Sequence, residues 1–132
     1  MQHYHHNENL KFDYPDDWTG RYDDGLILFL NKEATIGALQ FTVFYPPEKK
    51  EVSLKDWLEE QLVDYYTGFT VMENKHYAHS RYIISDGRCW RHWAIRKDDM
   101  VLYGTYNCDE SSQGIEDKIV DAIIDSIFKM KY

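Results

Sequence analysis

The tightest constraint on this chain is the dipeptide Asp86-Gly87, set between two runs of strand-forming residues. Asp-Gly supplies the two positive-φ positions of a type I′ turn, whose twist matches that of paired strands. It therefore fixes an antiparallel hairpin and its register. Tyr77 to Ser85 meets Arg88 to Lys97, and Asp98-Asp99 then returns the chain into Met100 to Cys108. Counting outward from the two turns sets Ile83 opposite Trp90, Arg81 opposite His92, and Ser80 opposite Trp93. The same count sets Ile95 opposite Leu102, Trp93 over the bare Gly104, and Cys89 opposite Cys108. Side chains alternate along a strand. One face of the meander thus carries Ile84, Cys89, Trp93, Ile95, Leu102 and Tyr106, and reads as the core face. The other carries His79, Arg81, Arg88, Trp90, His92, Arg96 and Tyr103.

The remaining elements follow from period and punctuation. Leu10 to Tyr14 alternates and stops at Pro15, before an Asp16-Asp17-Trp18 turn. Gly25 to Leu30 and Ile36 to Tyr45 read as strands, the latter ended by Pro46-Pro47. Ser53 is a helix N-cap with Asp56 three residues on. Leu54, Trp57, Leu58, Leu62 and Tyr65 form its apolar stripe, Glu59, Glu60 and Asp64 face away, and Gly68 stops it. After a short strand over 69–72 and the meander, Ile115 to Phe128 is a helix with a wide apolar stripe. The order is α+β: an antiparallel β-sheet of about six to seven strands with helices packed on its faces. Residues 1–9 read as a flexible lead, and 10–132 as a single domain.

Composition narrows the function. The 132 residues carry a formal charge of −8, and 43% are hydrophobic. That acidity argues against nucleic acid, whose binders neutralise phosphates. The longest apolar runs, such as Leu26 to Leu30, fall far short of the ~20 residues of a membrane span. No basic and apolar leader opens the chain, and two cysteines are too few for a disulfide scaffold, so a cytoplasmic location is expected. The charge is uneven. Residues 1–75 hold 14 acidic against 7 basic residues, and the remainder 9 against 8.

Four groups could carry chemistry. Arg81, Arg88, Trp90, His92 and Tyr103 interleave cations with rings, a pattern that suits an anionic ligand or an acidic partner surface. The same residues also serve as ordinary cross-strand and ion-pair filling. Trp18 with Asp16 and Asp17 makes an acidic, aromatic turn able to meet a basic partner. Cys89 and Cys108 read as two buried thiols, as a redox switch, or, more weakly, as part of a Cys-His nucleophile. His3, His5 and His6 put three imidazoles within four residues, a weak metal candidate on a lead without fixed geometry. No hydrolase, phosphate-loop or zinc-protease pattern is present. The chain reads as no enzyme and as needing no cofactor.

The opening Phe12-Asp13-Tyr14-Pro15-Asp16-Asp17-Trp18 resembles the entry of the PsbP-like superfamily. The early helix at Ser53-Leu54, the meander and the closing helix Ile119 to Phe128 are similar to that family in order. The resemblance implies a PsbP-like sandwich, with helices covering both sheet faces, and binding or accessory roles rather than catalysis. The expectation is a small cytoplasmic domain of bacterial type, monomer or weak dimer, acting through an unknown protein partner. An immunity-type protein masking a basic toxin is one form of it. The alternative is a small anionic-ligand binder or enzyme using the basic aromatic face.

Overall fold

The computed structural model describes residues 1–46 and 53–129. Among these residues ten strands and two α-helices follow one another as β1 (Gln2–Asn7), β2 (Leu10–Tyr14), β3 (Trp18–Asp23), β4 (Leu26–Asn31), β5 (Gly37–Phe44), α1 (Leu54–Val63), β6 (Val71–Glu73), β7 (Tyr77–Ser80), β8 (Ile83–Ser85), β9 (Arg88–Lys97), β10 (Met100–Asp109) and α2 (Asp117–Ser126). The main sheet has eight strands in the order β3-β4-β5-β10-β9-β7-β6, with β8 also paired to β9. All its pairings are antiparallel. β1 and β2 form a separate two-stranded ribbon. This is the α+β, antiparallel architecture expected, with more strands than the sequence suggested.

The turn chemistry works as read. Asp86 and Gly87 take φ 54° and 75°, and β8 meets β9 with Ile83 opposite Trp90. Ile95–Leu102, Trp93–Gly104 and Cys89–Cys108 pair in the second hairpin. It is Phe41 rather than Trp93 that needs the bare Gly104. A Cβ there would stand 2.8 Å from the Phe41 ring.

The first hairpin departs from its expected register at Arg81-Tyr82, which lie in neither strand. Past that jog β7 sits one residue off, so His79, not Ser80, faces Trp93, and Arg81 no longer faces His92. A one-residue slip turns every side chain to the other face. His79 accordingly belongs to the core-side face. Ile84 keeps its expected place opposite Cys89 but is 48% exposed.

Two more elements differ. The N-terminal residues are not a loose lead: Gln2–Asn7 pair with Leu10–Tyr14 across a short turn. Residues 18–23 form an edge strand, and its Trp18 is 1% exposed. Gly20 in that strand leaves room for the Phe29 and Tyr14 rings, at 2.8 and 2.9 Å from where a Cβ would stand. Ser53 caps α1 as expected, accepting from the Asp56 N–H, but the helix ends at Val63, five residues before Gly68. Pro47, expected to close β5, lies outside the described residues.

Two cores result. On one face the β2 residues Leu10, Phe12 and Tyr14 and the α2 residues Val120, Ile123 and Ile124 close over Ile27, Phe29, Phe41, Trp93 and Tyr106. On the other, α1 contributes Leu58 and Leu62 over Val71, Ala78, Ile83 and Ala94. Helices therefore cover both faces: α1 packs mainly on β6, β7 and β9, and its Trp57 also reaches Tyr103 of β10 and Phe44 of β5.

Candidate functional site

The basic aromatic surface expected from the sequence does not assemble. β9 directs Trp90 and His92 to the α1 side, where Trp90 stacks on His92 at 6.1 Å and Tyr103 stacks from β10 at 5.9 Å. α1 and its exit then close over them. Trp57 meets Tyr103 edge-on at 5.6 Å, and Tyr66 meets His92 at 5.5 Å. His92 is left 3% exposed. One ring nitrogen, Nδ1, lies 2.8 Å from the Tyr103 hydroxyl, while Nε2 has no partner among the described residues. Burial drives its pKa from 6.5 down to about 4, so the ring is neutral near pH 7. Ser80, just before the jog, accepts the His92 N–H at 3.1 Å and satisfies a donor that no strand partner reaches.

The cations disperse likewise. Arg81 is exposed beside the jog, its N–H donating to the Thr70 carbonyl at 3.0 Å. Arg88 forks onto the Asn107 side-chain oxygen at 2.7 and 3.1 Å. At the acidic turn, Asp16 and Asp17 are exposed but Trp18 is buried, so the aromatic anchor expected there is a core residue. The N-terminal ammonium, 2.8 Å away, and Gln2 hold Asp16 below the ordinary carboxylate range. His3 and His6, the outer two of the three N-terminal imidazoles, part company as well, and His5 lines a groove. His3 reaches the buried Asp13 at 2.7 Å, whereas His6 packs on the Tyr22 ring at 5.5 Å. No group of three metal-binding side chains exists among the described residues.

Three side chains absent from the sequence candidates, Arg91, Tyr82 and Glu116, organise the opposite face. Arg91, the neighbour of His92 on β9, points to the α2 side, as its place between Cys89 and Trp93 required. Its guanidinium donates to Asp121 at 2.9 Å and approaches Asp117 at 3.5 Å. It also stands 4.7 Å over the Trp93 ring. Tyr82 donates its hydroxyl to the same Asp117. Glu116, immediately before α2, is 3% exposed and accepts from the Tyr106 hydroxyl at 2.7 Å. Burial raises its pKa. Nearby, the Sγ atoms of Cys89 and Cys108 lie 3.0 Å apart. Burial, with Cys108 alongside, pushes the Cys89 thiol up to about 12. His92, on the other face, cannot serve either thiol as a base.

α1 presents a third surface. Asp56, Glu60 and Asp64 recur every four residues and so share one face of the helix. All three are exposed, as are Val63 at 61% and Tyr65 at 80%. A groove of about 800 Å³ lies elsewhere, between the β1–β2 turn, the β9–β10 turn and the end of α2. Lys11, Lys97 and Lys129 line it together with Glu8 and Asp98, while Asp13 pairs with Lys11 at 3.6 Å and Lys129 at 3.3 Å.

No protein-family model matches the chain, and no curated protein matches it. Solved structures do. A crystal structure of a protein from Bacteroides thetaiotaomicron superposes with a TM-score of 0.58 at 15% identity, over 89% of this chain and 44% of that one. This chain thus spans less than half of that protein's length. The solution structure of cyanobacterial PsbP from Synechocystis gives a TM-score of 0.63 at 12% identity, over 95% of this chain and 89% of that one. The chain has a PsbP-like fold, as the resemblance at residues 12–18 and the closing helix implied. Fold at this identity assigns no residue a role.

Proposed function

We propose that this PsbP-like fold serves as a non-catalytic binding module that docks a basic protein surface through the outer face of α1. The carrying observation is the run Asp56, Glu60, Asp64, none of which forms an ion pair with any described residue. Two local rules are broken there. Like charges at i, i+4 repel by a few tenths of a kcal/mol. Asp64, the C-cap, puts a carboxylate at the negative end of the helix dipole, and the last turn holds no basic residue. Sequences break local rules mainly where function requires it. Val63 and Tyr65 continue the same end of the helix as an apolar and aromatic contact, the residue classes that anchor interfaces.

The excess of acidic residues in the first half of the chain supports the same reading, because complementary charge speeds association. The small-anion alternative loses its support. Its central histidine is buried and neutral, and Arg81 and Arg88 do not converge with it on one site. Among the groups with the largest shifts, Cys89, His92 and Tyr106 are enclosed and Tyr82 is half-buried, and all four lie outside the groove. That placement favours binding over catalysis.

The test is capture from native lysate by the wild type and by the triple variant Asp56→Lys, Glu60→Lys, Asp64→Lys. The wild type should retain one stoichiometric basic protein, released by salt as screening shortens the reach of charge. The triple variant should retain none of it while keeping its cooperative unfolding. Equal capture by both chains would overturn the assignment.

A further inference from the structure

Cys89 and Cys108 are fully buried, directly opposed on β9 and β10, with 3.0 Å between their sulfurs. Their neighbours differ. Cys89 is flanked by β8, three residues long, where its partner Ile84 is half exposed. Cys108 is flanked by Gly37 of β5. A Cβ at Gly37 would come within 2.6 Å of Tyr106 Cζ, so the glycine makes the hole into which the Tyr106 hydroxyl fits, at the β5 position that faces Cys108. That hydroxyl donates to Glu116 Oε1. Glu116 Oε2 is buried and has no partner among the described residues. A buried carboxylate oxygen left unbonded costs stability, so its retention calls for a role.

We propose that Cys89 and Cys108 form a reversible dithiol–disulfide pair, in which Tyr106 and Glu116 take the proton from the second thiol. The oxidant is a low-molecular-weight disulfide. When β8 parts from β9, Cys89 ionises in water and its thiolate attacks one sulfur of that disulfide. The oxidant's S–S bond breaks, a mixed disulfide forms on Cys89, and one small thiolate leaves and is protonated by solvent. Cys108 then passes its proton through the Tyr106 hydroxyl to Glu116 and attacks the Cys89 sulfur. The Cys89–Cys108 bond forms, the mixed bond breaks, and the second small thiolate leaves and is protonated. Glu116 returns its proton to solvent. Two electrons have passed from the protein thiols to the oxidant, which departs as two thiols.

Geometry and chemistry agree on the division of labour. Opposed residues at a hydrogen-bonded pair of antiparallel strands have Cα atoms about 5.5 Å apart, inside the range a disulfide spans. While covered, Cys89 stays protonated and inert, since the thiolate is the nucleophile. The weak flank at β8 therefore gates the first step, and the internal acceptor serves the second.

The experiment incubates the intact protein with oxidised glutathione, quenches in acid, then measures intact mass and titrates thiols after unfolding. The wild type should go from two thiols to none, with loss of two hydrogens, and dithiothreitol should restore both. Tyr106→Phe should reach the same end point about 10²-fold more slowly, the usual worth of a positioned base. It should accumulate the mixed glutathione adduct on the way. Should that variant fail to fold, Glu116→Gln carries the same expectation. Two persistent thiols in the wild type, arrest at the adduct, or equal rates in wild type and relay variant would each overturn the proposal.

Discussion

Arg91 and His92 are neighbours on β9 and anchor opposite faces of one sheet by opposite electrostatics. Arg91 lies under α2 as a permanent cation, and Asp117 and Asp121 of that helix pair with it. His92 lies under α1 as a neutral ring. The helices differ in the same sense. α2 carries Asp117, Asp121 and Asp125 at four-residue spacing and turns the first two to a guanidinium, with Asp125 exposed. On α1, Asp56, Glu60 and the C-cap Asp64 share that spacing and all face outward, and none forms an ion pair with a described residue. Net charge alone does not mark a surface for binding. What marks it is charge left unmatched inside the protein.

The contrast breaks most visibly with pH. His92 has a folded pKa of about 4 against 6.5 for a free imidazole. In the window between those values the unfolded chain takes a proton that the folded one refuses. Its contribution to stability is therefore complete above pH 6.5 and is lost as pH falls from 6.5 to 4. The ceiling is about 3 kcal/mol at 1.36 kcal/mol per unit. Urea unfolding across that range should show the loss, and His92→Asn, which keeps a partner for Tyr103, should remove most of it. Glu116 works in the opposite direction, its raised pKa favouring the fold as pH falls, so the difference between the two chains is the quantity to read. A variant that loses as much as the wild type would break the comparison on the α1 side.

The α2 side should respond less, and through salt rather than pH. Arg91→Met keeps an apolar stem against Trp93 but strands Asp117 and Asp121. Their side chains are 37% and 49% exposed, so the loss is discounted to about 1 kcal/mol. The wild-type advantage should shrink as salt rises, whereas the His92 effect, a desolvation effect, should not. An Arg91 effect as salt-insensitive as that of His92 would erase the distinction between the faces.

Much of this could be read from the chain, and the misses have physical reasons. Two-residue turns at 86–87 and 98–99 made the β9–β10 register a matter of counting, although that reading leaves Arg91, between Cys89 and Trp93, unassigned to either face. The jog at Arg81-Tyr82 has no glycine or proline to announce it, so β7 slipped by one and His79 changed faces. β3 was hidden because Trp18 reads as the end of an Asp-rich turn. β1 was hidden because a strand of His, Asn and Gln has no apolar alternation of its own. It depends on β2 as partner and on the half-buried Tyr4 and His6. Tyr65 fitted the spacing of the α1 stripe, yet the helix ends two residues earlier and leaves it 80% exposed. Glu60 and Asp64 were legible from spacing as outward-facing acids, whereas Asp56 read as a capping residue and Glu59, counted with them, is half-buried. That it lacks partners, and that Glu116 keeps an unbonded oxygen, are facts of three dimensions that no local pattern encodes.

The smallest expected effect is the most informative about α1. Asp64→Lys replaces a carboxylate at the helix C-terminus by a cation, which the dipole favours by about 0.3–1 kcal/mol. Glu60→Lys converts a repulsive i, i+4 contact with Asp56 into an attractive one, in the better orientation with the acid N-terminal, for about 0.2–0.5 kcal/mol. Both substitutions should raise the denaturation midpoint at low salt, and both gains should fade in high salt. Charge reversal rarely stabilises a protein whose surface ions are already paired, because a pair is then lost. A gain at both positions would mean that the free protein tolerates a repulsion it could have avoided, the cost expected of a surface kept for a basic partner. A loss at either would mean that the carboxylate is matched within the chain after all, and α1 would then be no more a docking face than α2.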